Sequence, residues 1–218
     1  MNIQISAVGA LLLALAPCAW AALPQQSVDM TGTLRAPGCT VLADNQGLYD
    51  YGKINPSLIP VSGSNLTLSV KPAHWTVDCG QASTYIGIKV MDNRAQSSGG
   101  AGNANFGLGR IPGNDTSKLG YYTVTLSNPK VDGVAAAVGK GAPGSADVTG
   151  AASIVLDTGS VHTWVKTATN KQTPLAGKQF EVDMSVGAVL LNKAAMGGDI
   201  TSEVPLDGNI TLSYTFGL

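Results

Sequence analysis

The sequence contains few residues that could perform chemistry. Only 12% of its 218 residues are charged, and it has 2 histidines. Glu181 and Glu203 are its only glutamates, and no Gly-x-Ser-x-Gly motif marks a nucleophile. His74 and His162 each lie near a tryptophan in a strand pattern, which is typical of packed or solvated histidines. These shortages predict a protein that is not an enzyme and needs no cofactor or metal.

The charges that are present nearly cancel. The 13 Lys and Arg residues face 14 Asp and Glu residues, so the formal net charge is −1. Nucleic acids and anionic membrane surfaces attract strongly basic proteins. We therefore expect neither of them as a partner.

Long apolar runs are absent after the first 21 residues. Ile5–Ala16 is apolar and uncharged but too short to span a bilayer, and Ala19-Trp20-Ala21 fits the small-x-small pattern of a cleavage site. We therefore predict a signal peptide over residues 1–21 and export of the remaining chain.

Cysteine is also scarce, with 3 residues. Cys18 leaves with the signal peptide, and Cys39 and Cys79 remain. An even pair in an oxidising compartment predicts one disulfide. The alternative is a metal pair, but two cysteines without a nearby histidine make a poor zinc site.

Glycine, threonine, serine and valine are abundant, and helix-period stretches are few, so we predict an all-β fold. Apolar residues alternate with polar ones along many short segments, as in strands with one buried face. The predicted strands cover residues 28–34, 40–43, 48–54, 66–70, 75–79, 84–90, 119–126, 154–156, 161–165, 180–186 and 210–216. Ala188–Met196 is the one stretch in which we expect a helical turn.

Several segments predict turns or loops. Asp132-Gly133 is typical of a hairpin turn, and Pro72 indicates a bend or a sheet edge. We interpret the Gly/Ser-rich stretch Met91–Gly120 as a surface excursion and Ala135–Ala152 as a mobile loop. Asp92-Asn93-Arg94, at the end of a strand, is expected to build a turn, with Arg94 bridging to a loop carbonyl. The alternative for this cluster is a ligand site.

Two alternating strands lie near the ends of the mature chain. The first carries its apolar positions at Val28, Met30, Gly32 and Leu34. The second follows Gly208 and carries them at Ile210, Leu212, Tyr214 and Phe216. A half-apolar strand at a chain end can pair within its own domain, or it can add to the sheet edge of another molecule.

The order of these features resembles a chaperone–usher pilin. The resemblance rests on the alternating Val28–Leu34 strand before Cys39, the strand at 49–54, the second cysteine before the Ile86 strand, and the last strand. The chain is most similar to a proteobacterial family of beta-fimbrial subunits and proteins of unknown function. The segments that carry this likeness are Tyr51-Gly52-Lys53-Ile54, Asp92-Asn93-Arg94, Phe106-Gly107-Leu108-Gly109 and Leu119-Gly120-Tyr121-Tyr122-Thr123.

The resemblance implies an immunoglobulin-like (pilin-type) β-sandwich that lacks its final strand. It implies a donor-strand extension at residues 22–38 and a sandwich domain at residues 39–218. A periplasmic chaperone would fill the open groove first, and an outer-membrane usher would then exchange it for the N-terminal strand of another copy or a related subunit. Ile210–Phe216 would form one wall of that groove, and Gly32 would allow close approach. The protein would be exported through the periplasm to a cell-surface fimbria.

Two features depart from most pilins. Phe216 is followed by Gly217 and Leu218, whereas the last aromatic residue of most pilins is the penultimate residue. The chain is also longer than a rod subunit, mainly through the two Gly-rich stretches. Both features are compatible with a self-complemented monomer. They also suit the alternative function, a secreted binding module or minor adhesin whose loops bind a host or surface ligand.

Overall fold

The strand patterns of the sequence fold into two antiparallel sheets. The structure is a computed structural model and describes residues 38–216. The predicted signal peptide and the strand at 28–34, with Val28, Met30, Gly32 and Leu34, lie outside the described residues. The strands are β1 (Thr40–Ala43), β2 (Leu66–Thr67), β3 (Lys71–Asp78), β4 (Ile86–Asp92), β5 (Phe106–Gly107), β6 (Gly120–Val131), β7 (Val134–Ala135), β8 (Ala137–Gly141), β9 (Thr149–Ala151), β10 (Ile154–Val155), β11 (Val161–Val165), β12 (Gln179–Leu190) and β13 (Ile210–Phe216).

The first sheet has eight strands, with the path β1-β3-β12-β6-β10 and the short strands β2, β5 and β7 attached beside it. The second sheet has five strands in the order β13-β4-β11-β8-β9. Every pair of neighbouring strands is antiparallel. The all-β prediction and the two-sheet sandwich are therefore confirmed.

The core lies between the two sheets. Alternate residues of β12 are buried, as a strand with one inward face requires. Those residues are Phe180, Val182, Met184, Val186, Ala188 and Leu190. Trp164 of β11 packs against Phe180 with ring centroids 5.2 Å apart, and its Nε1 donates to the backbone oxygen of Glu181 at 2.9 Å. This contact fastens the second sheet to the first.

The predicted disulfide is confirmed. Cys39 and Cys79 are joined with an S–S distance of 2.07 Å. The bond connects the residue before β1 to the residue after β3, and these two strands also pair through Thr40 and Asp78. The start of the described chain is thereby fixed to the first sheet.

The hairpin and helix predictions also hold. Val131 pairs with Val134, and Asp132 and Gly133 between them have positive φ values of 50° and 76°. Such values suit a two-residue turn between twisted strands. The helical turn is α1 (Lys193–Met196), which ends at Gly197 in the left-handed conformation.

The interpretation of Met91–Gly120 as a surface excursion is wrong. Phe106, Leu108 and Leu119 are exposed by only 0%, 5% and 1%, and they belong to the main core. Several glycines there reflect close packing; a Cβ on Gly107, for example, would lie 2.0 Å from the backbone oxygen of Arg94. Glycine content alone does not separate an exposed loop from a crowded one.

The interpretation of Ala135–Ala152 as a mobile loop is also wrong. This stretch contains β8 and β9, which pair along the edge of the second sheet. A Cβ on Gly139 would lie 2.7 Å from the side chain of Val165, and one on Gly150 would lie 2.3 Å from the backbone oxygen of Thr167. The close approach of neighbouring segments therefore requires glycine at these two positions.

Candidate functional site

The C-terminal strand β13 forms one edge of the second sheet. Among the described residues it pairs with β4 alone. Asn93 donates from its backbone to the oxygen of Asn209 at 3.0 Å, so Asn209 and every second residue after it face β4. The backbone groups of Ile210, Leu212 and Tyr214 therefore point away from β4, toward the side on which no described strand pairs with β13.

A groove lies beside this edge, in two adjoining parts. The larger part has a volume of about 930 Å³ and the smaller part about 270 Å³. Both parts are lined by Leu48, Tyr49, Tyr51 and Leu206. The groove thus runs between the segment at 48–54 and the chain that leads into β13.

The segment at 48–54 is not the strand that its alternation predicts. It pairs with no strand of the described chain. Its tyrosines are tied instead to β12, because the hydroxyl of Tyr49 donates to the oxygen of Met184 at 3.0 Å and that of Tyr51 donates to the oxygen of Val186 at 2.9 Å. Gly52 then turns the chain with φ 63°, its N–H held by the Asp50 carboxylate at 2.7 Å. Side chains of this segment do alternate, as predicted, but the segment is held by side-chain hydrogen bonds to β12 and not by backbone pairing with a strand.

The floor of the groove is the sandwich core. Five buried residues of β6 and β12 line the smaller part. They are Tyr122, Val124, Met184, Val186 and Ala188. The larger part is lined by further core residues, among them Ile59, Leu119, Leu190 and Met196. An apolar side chain entering the groove would contact the main core directly.

The residues that were predicted to wall an acceptor groove fall into two groups. Gly208, Ile210 and Leu212 line the smaller part of the groove. Tyr214 packs against the core, where burial raises the pKa of its phenol, and Phe216 is 46% exposed. Their role in accepting a strand stays a prediction.

Sequence reasoning missed the opposite wall and the chain before β13. Trp75 Nε1 donates to the Tyr49 hydroxyl at 3.0 Å, which completes the anchoring of the wall at 48–54. The Tyr-x-Tyr spacing at 49–51 was a signal for a one-sided segment. Ile200, Val204 and Leu206 pack against the core although they lie in no strand or helix. Their irregular spacing offered no period from which to predict this.

The two histidines occupy different environments. His74 is half-exposed, and its Nδ1 lies 2.8 Å from the Asp183 carboxylate. His162 is fully buried, 3.8 Å from the carboxylate of Asp157, and burial lowers the pKa of its ring to about 4. In the described part of the chain, no group of three or more His, Cys, Asp or Glu residues is arranged to hold a metal ion.

Asp157 is paired with a lysine. Burial pushes the pKa of its carboxyl upward, but hydrogen bonds from Lys140, Ser160 and the backbone of Gly159 outweigh that effect and lower it. The carboxylate therefore stays charged beside the neutral ring of His162.

None of the known protein-family models matches the sequence, and no curated protein matches it. Between residues 38 and 216, no helix has the length and apolar character needed to cross a membrane.

Proposed function

We propose that the protein is a structural subunit of a bacterial surface fimbria, assembled by accepting a β-strand from another copy into its groove. The observation that carries this proposal is the apolar groove beside β13. Its floor is the sandwich core, and Ile210 and Leu212, whose backbone groups point away from β4, line it. A strand added there would bury apolar side chains and extend the second sheet in one step.

The N-terminal segment of the mature chain has the chemistry of the occupant. Val28–Leu34 and β13 each contain seven residues, so the two could pair along their full length. Val28, Met30 and Leu34 would point into the groove, and Gly32 would lie where there is least room. Each large apolar side chain buried in this way contributes about 1.5–3 kcal/mol.

Such a subunit would need help before assembly. An open groove beside a strand edge that no described strand covers invites aggregation. A periplasmic chaperone would cover it, and an outer-membrane usher would exchange the chaperone for the next subunit. These two partners follow from the pilin resemblance and belong to the proposal.

The binding-module alternative is less well supported than the sequence suggested. Its main argument was the pair of long Gly-rich stretches. Those stretches contribute Phe106, Leu108, Val138 and Val148 to buried clusters, so they are not free loops.

A period-2 test distinguishes strand donation from unspecific association. The mature chain is exported in a bacterium, and polymers are scored as ladders in unboiled gel samples. Met30→Asp places a charge on the groove-facing side of the donor, whereas Thr31→Asp places it on the opposite side. We expect Met30→Asp to abolish the ladder and Thr31→Asp to retain it. Equal behaviour of the two variants would refute strand donation.

A crosslink identifies the occupant. Leu48 lines both parts of the groove and is 69% exposed, so it can be replaced by p-benzoylphenylalanine. Irradiation should join it to a peptide from residues 22–35 of a second chain, at dimer mass. A crosslink to the same peptide at monomer mass would show that the chain fills its own groove, and the polymer proposal would fail.

A further inference from the structure

Three segments meet where the chain enters β13. They are the end of β4, the stretch around β5, and the residues just before β13. In sequence they are Asp92-Asn93-Arg94, Phe106-Gly107-Leu108-Gly109 and Asp207-Gly208-Asn209. Hydrogen bonds between side chains and backbone connect all three.

Asp92 joins the first segment to the second. One carboxylate oxygen accepts from the backbone N–H of Arg94 at 2.8 Å, and the other accepts from that of Gly107 at 2.9 Å. Ser97 adds a second link, since its hydroxyl donates to the oxygen of Arg94 at 2.8 Å and accepts from Gly109 at 3.0 Å. The end of β4 and the stretch around β5 therefore form one unit.

Arg94 joins this unit to the third segment. Its Nε donates to the backbone oxygen of Asp207 at 3.3 Å, and its Nη2 pairs with the Asp207 carboxylate. The backbone N–H of Asp207 donates to the oxygen of Leu108 at 3.2 Å. Asp207 is thus held through its N–H, its C=O and its side chain.

The fit around Asp207 leaves no room for other side chains. A Cβ on Gly109 would lie 2.1 Å from the Asp207 carboxylate, and Gly109 has φ +105°, a conformation that suits glycine. A Cβ on Gly208 would lie 2.6 Å from the ring of Tyr122. Close approach on both sides sets the position of this part of the chain.

Asp207 interrupts the groove lining. Leu206 on one side of it, and Gly208, Asn209 and Ile210 on the other, line the groove, whereas Asp207 does not. We propose that Asp92, Arg94 and Asp207 form a positioning clamp that holds the 206–210 wall at the separation needed to accept a strand. This inference rests on the proposed function and adds the residues that keep the groove ready.

The clamp sets the position of the 206–210 wall and contributes little to the stability of the whole domain. The side chains of Arg94 and Asp207 are 48% and 38% exposed, and exposed ion pairs contribute little to folding. Removing the Arg94 side chain should therefore leave the sandwich folded while loosening the wall. A purely structural residue would instead lower stability and assembly together.

The chain offers a matched control. Arg110 also donates to loop carbonyls, those of Asp115 and, at 2.7 Å, Gln96, but it lines neither part of the groove. Arg94→Ala and Arg110→Ala are compared in the mature chain by hydrogen–deuterium exchange and by the polymer ladder. Arg94→Ala should speed amide exchange across 206–212, and polymer yield should fall about tenfold, because both charge-assisted hydrogen bonds from Arg94 to Asp207 are lost. Arg110→Ala should do neither.

A conservative variant sharpens the test. Lysine can pair with the Asp207 carboxylate but cannot also reach its backbone oxygen in the forked geometry of arginine. Arg94→Lys should give exchange rates and polymer yields between those of wild type and Arg94→Ala.

The outcomes distinguish a failure of the clamp proposal from a failure of the proposed function. If the rate of amide exchange at 206–212 is unchanged in Arg94→Ala, the clamp is refuted, whatever the polymer yield. If amide exchange in Arg94→Ala is faster but the polymer yield is unchanged, the role of the clamp in accepting a strand is refuted. If the wild-type chain forms no ladder at all, the proposed function fails and the role of the clamp in strand acceptance fails with it.

Discussion

The hydroxyl of Tyr51 donates a hydrogen bond of 2.9 Å to the backbone oxygen of Val186, 135 positions later in the chain. The bond holds one wall of the groove against the central strand of the first sheet. Because that wall has no backbone ladder in the described chain, its position depends on such side-chain anchors.

Tyr51→Phe and Tyr49→Phe should therefore differ in effect. Tyr51→Phe removes one partly buried hydrogen bond and should lower the free energy of unfolding by about 1 kcal/mol. Tyr49→Phe also leaves Trp75 Nε1 without its acceptor, which should bring the loss to about 2–3 kcal/mol. Urea denaturation followed by tryptophan fluorescence measures both. A larger loss for Tyr51→Phe would contradict this account of the wall.

The disulfide should be a main source of stability. It spans 40 positions, and the loop-entropy relation gives about 4 kcal/mol for a loop of that length. The double variant Cys39→Ser/Cys79→Ser should lose most of this, measured by denaturation of exported protein. Reduction of the wild-type chain should give the same midpoint as the double variant, and a different midpoint would show that the substitutions perturb packing.

Acid should destabilise the protein through His162. Its pKa in the folded protein is about 4, below the ordinary value of 6.5, because the buried ring resists protonation. The unfolded chain therefore binds an extra proton between these values. The contribution of this group to the free energy of unfolding is complete above pH 6.5. It falls by about 3 kcal/mol as the pH is lowered to 4. The lowered pKa of Asp157 acts in the same direction but only below pH 3.8, the ordinary value of a carboxyl.

The measurement for His162 is the slope of unfolding free energy against pH. His162→Leu removes the titrating ring and should flatten the curve between pH 6.5 and 4, although packing changes shift its overall height. An unchanged slope in that window would assign the acid sensitivity to other groups.

Gly208 should resist substitution for a steric reason. A Cβ there would lie 2.6 Å from the Tyr122 ring and 3.1 Å from the oxygen of Gly107, so Gly208→Ala should cost about 1–3 kcal/mol and displace the groove wall. Gly198→Ala is the control, since the nearest atom would be 3.6 Å away, in ordinary contact. Thermal melts compare the two, and equal losses would indicate a general effect of alanine rather than a close approach.

The regular part of the fold and one wall of the groove could be predicted from the sequence, and the rest of the groove could not. Alternation located β12 and β13, and Asp132-Gly133 located a hairpin, because these signals are local. Phe106 packs against Tyr122, and the backbone oxygen of Leu108 accepts from Asp207, and both partners are distant in sequence. Glycine marks both exposed turns and crowded crossings, so Gly107 and Gly139 were assigned to the wrong class.

The candidate site shows the same division. Gly208, Ile210 and Leu212 were found because their strand alternates cleanly. Tyr49 and Tyr51 were placed on a strand because alternation cannot distinguish a backbone ladder from side-chain anchors. Asp207 was not found, since a single aspartate before a strand has no pattern. Its partner Arg94 was predicted to bridge to a loop carbonyl, and it does so at Asp207, but the sequence did not identify which carbonyl.

The most direct test of whether the sandwich lacks a strand is to supply one in the same chain. A second copy of Val28–Leu34 is fused behind Leu218 through a flexible linker, and β13 ends at Phe216, two residues before the linker begins. If the groove accepts a strand, the fused copy fills it at high effective concentration and competes with strands from other molecules.

We expect the fusion to be monomeric and to melt at a higher temperature than the unfused chain, as measured by light scattering and calorimetry. A fusion carrying Met30→Asp in the second copy should lose both properties. If the unfused mature chain, purified without a chaperone, is already a monomer with a cooperative high-temperature melt, its own N-terminal strand completes the sandwich and the polymer hypothesis is wrong.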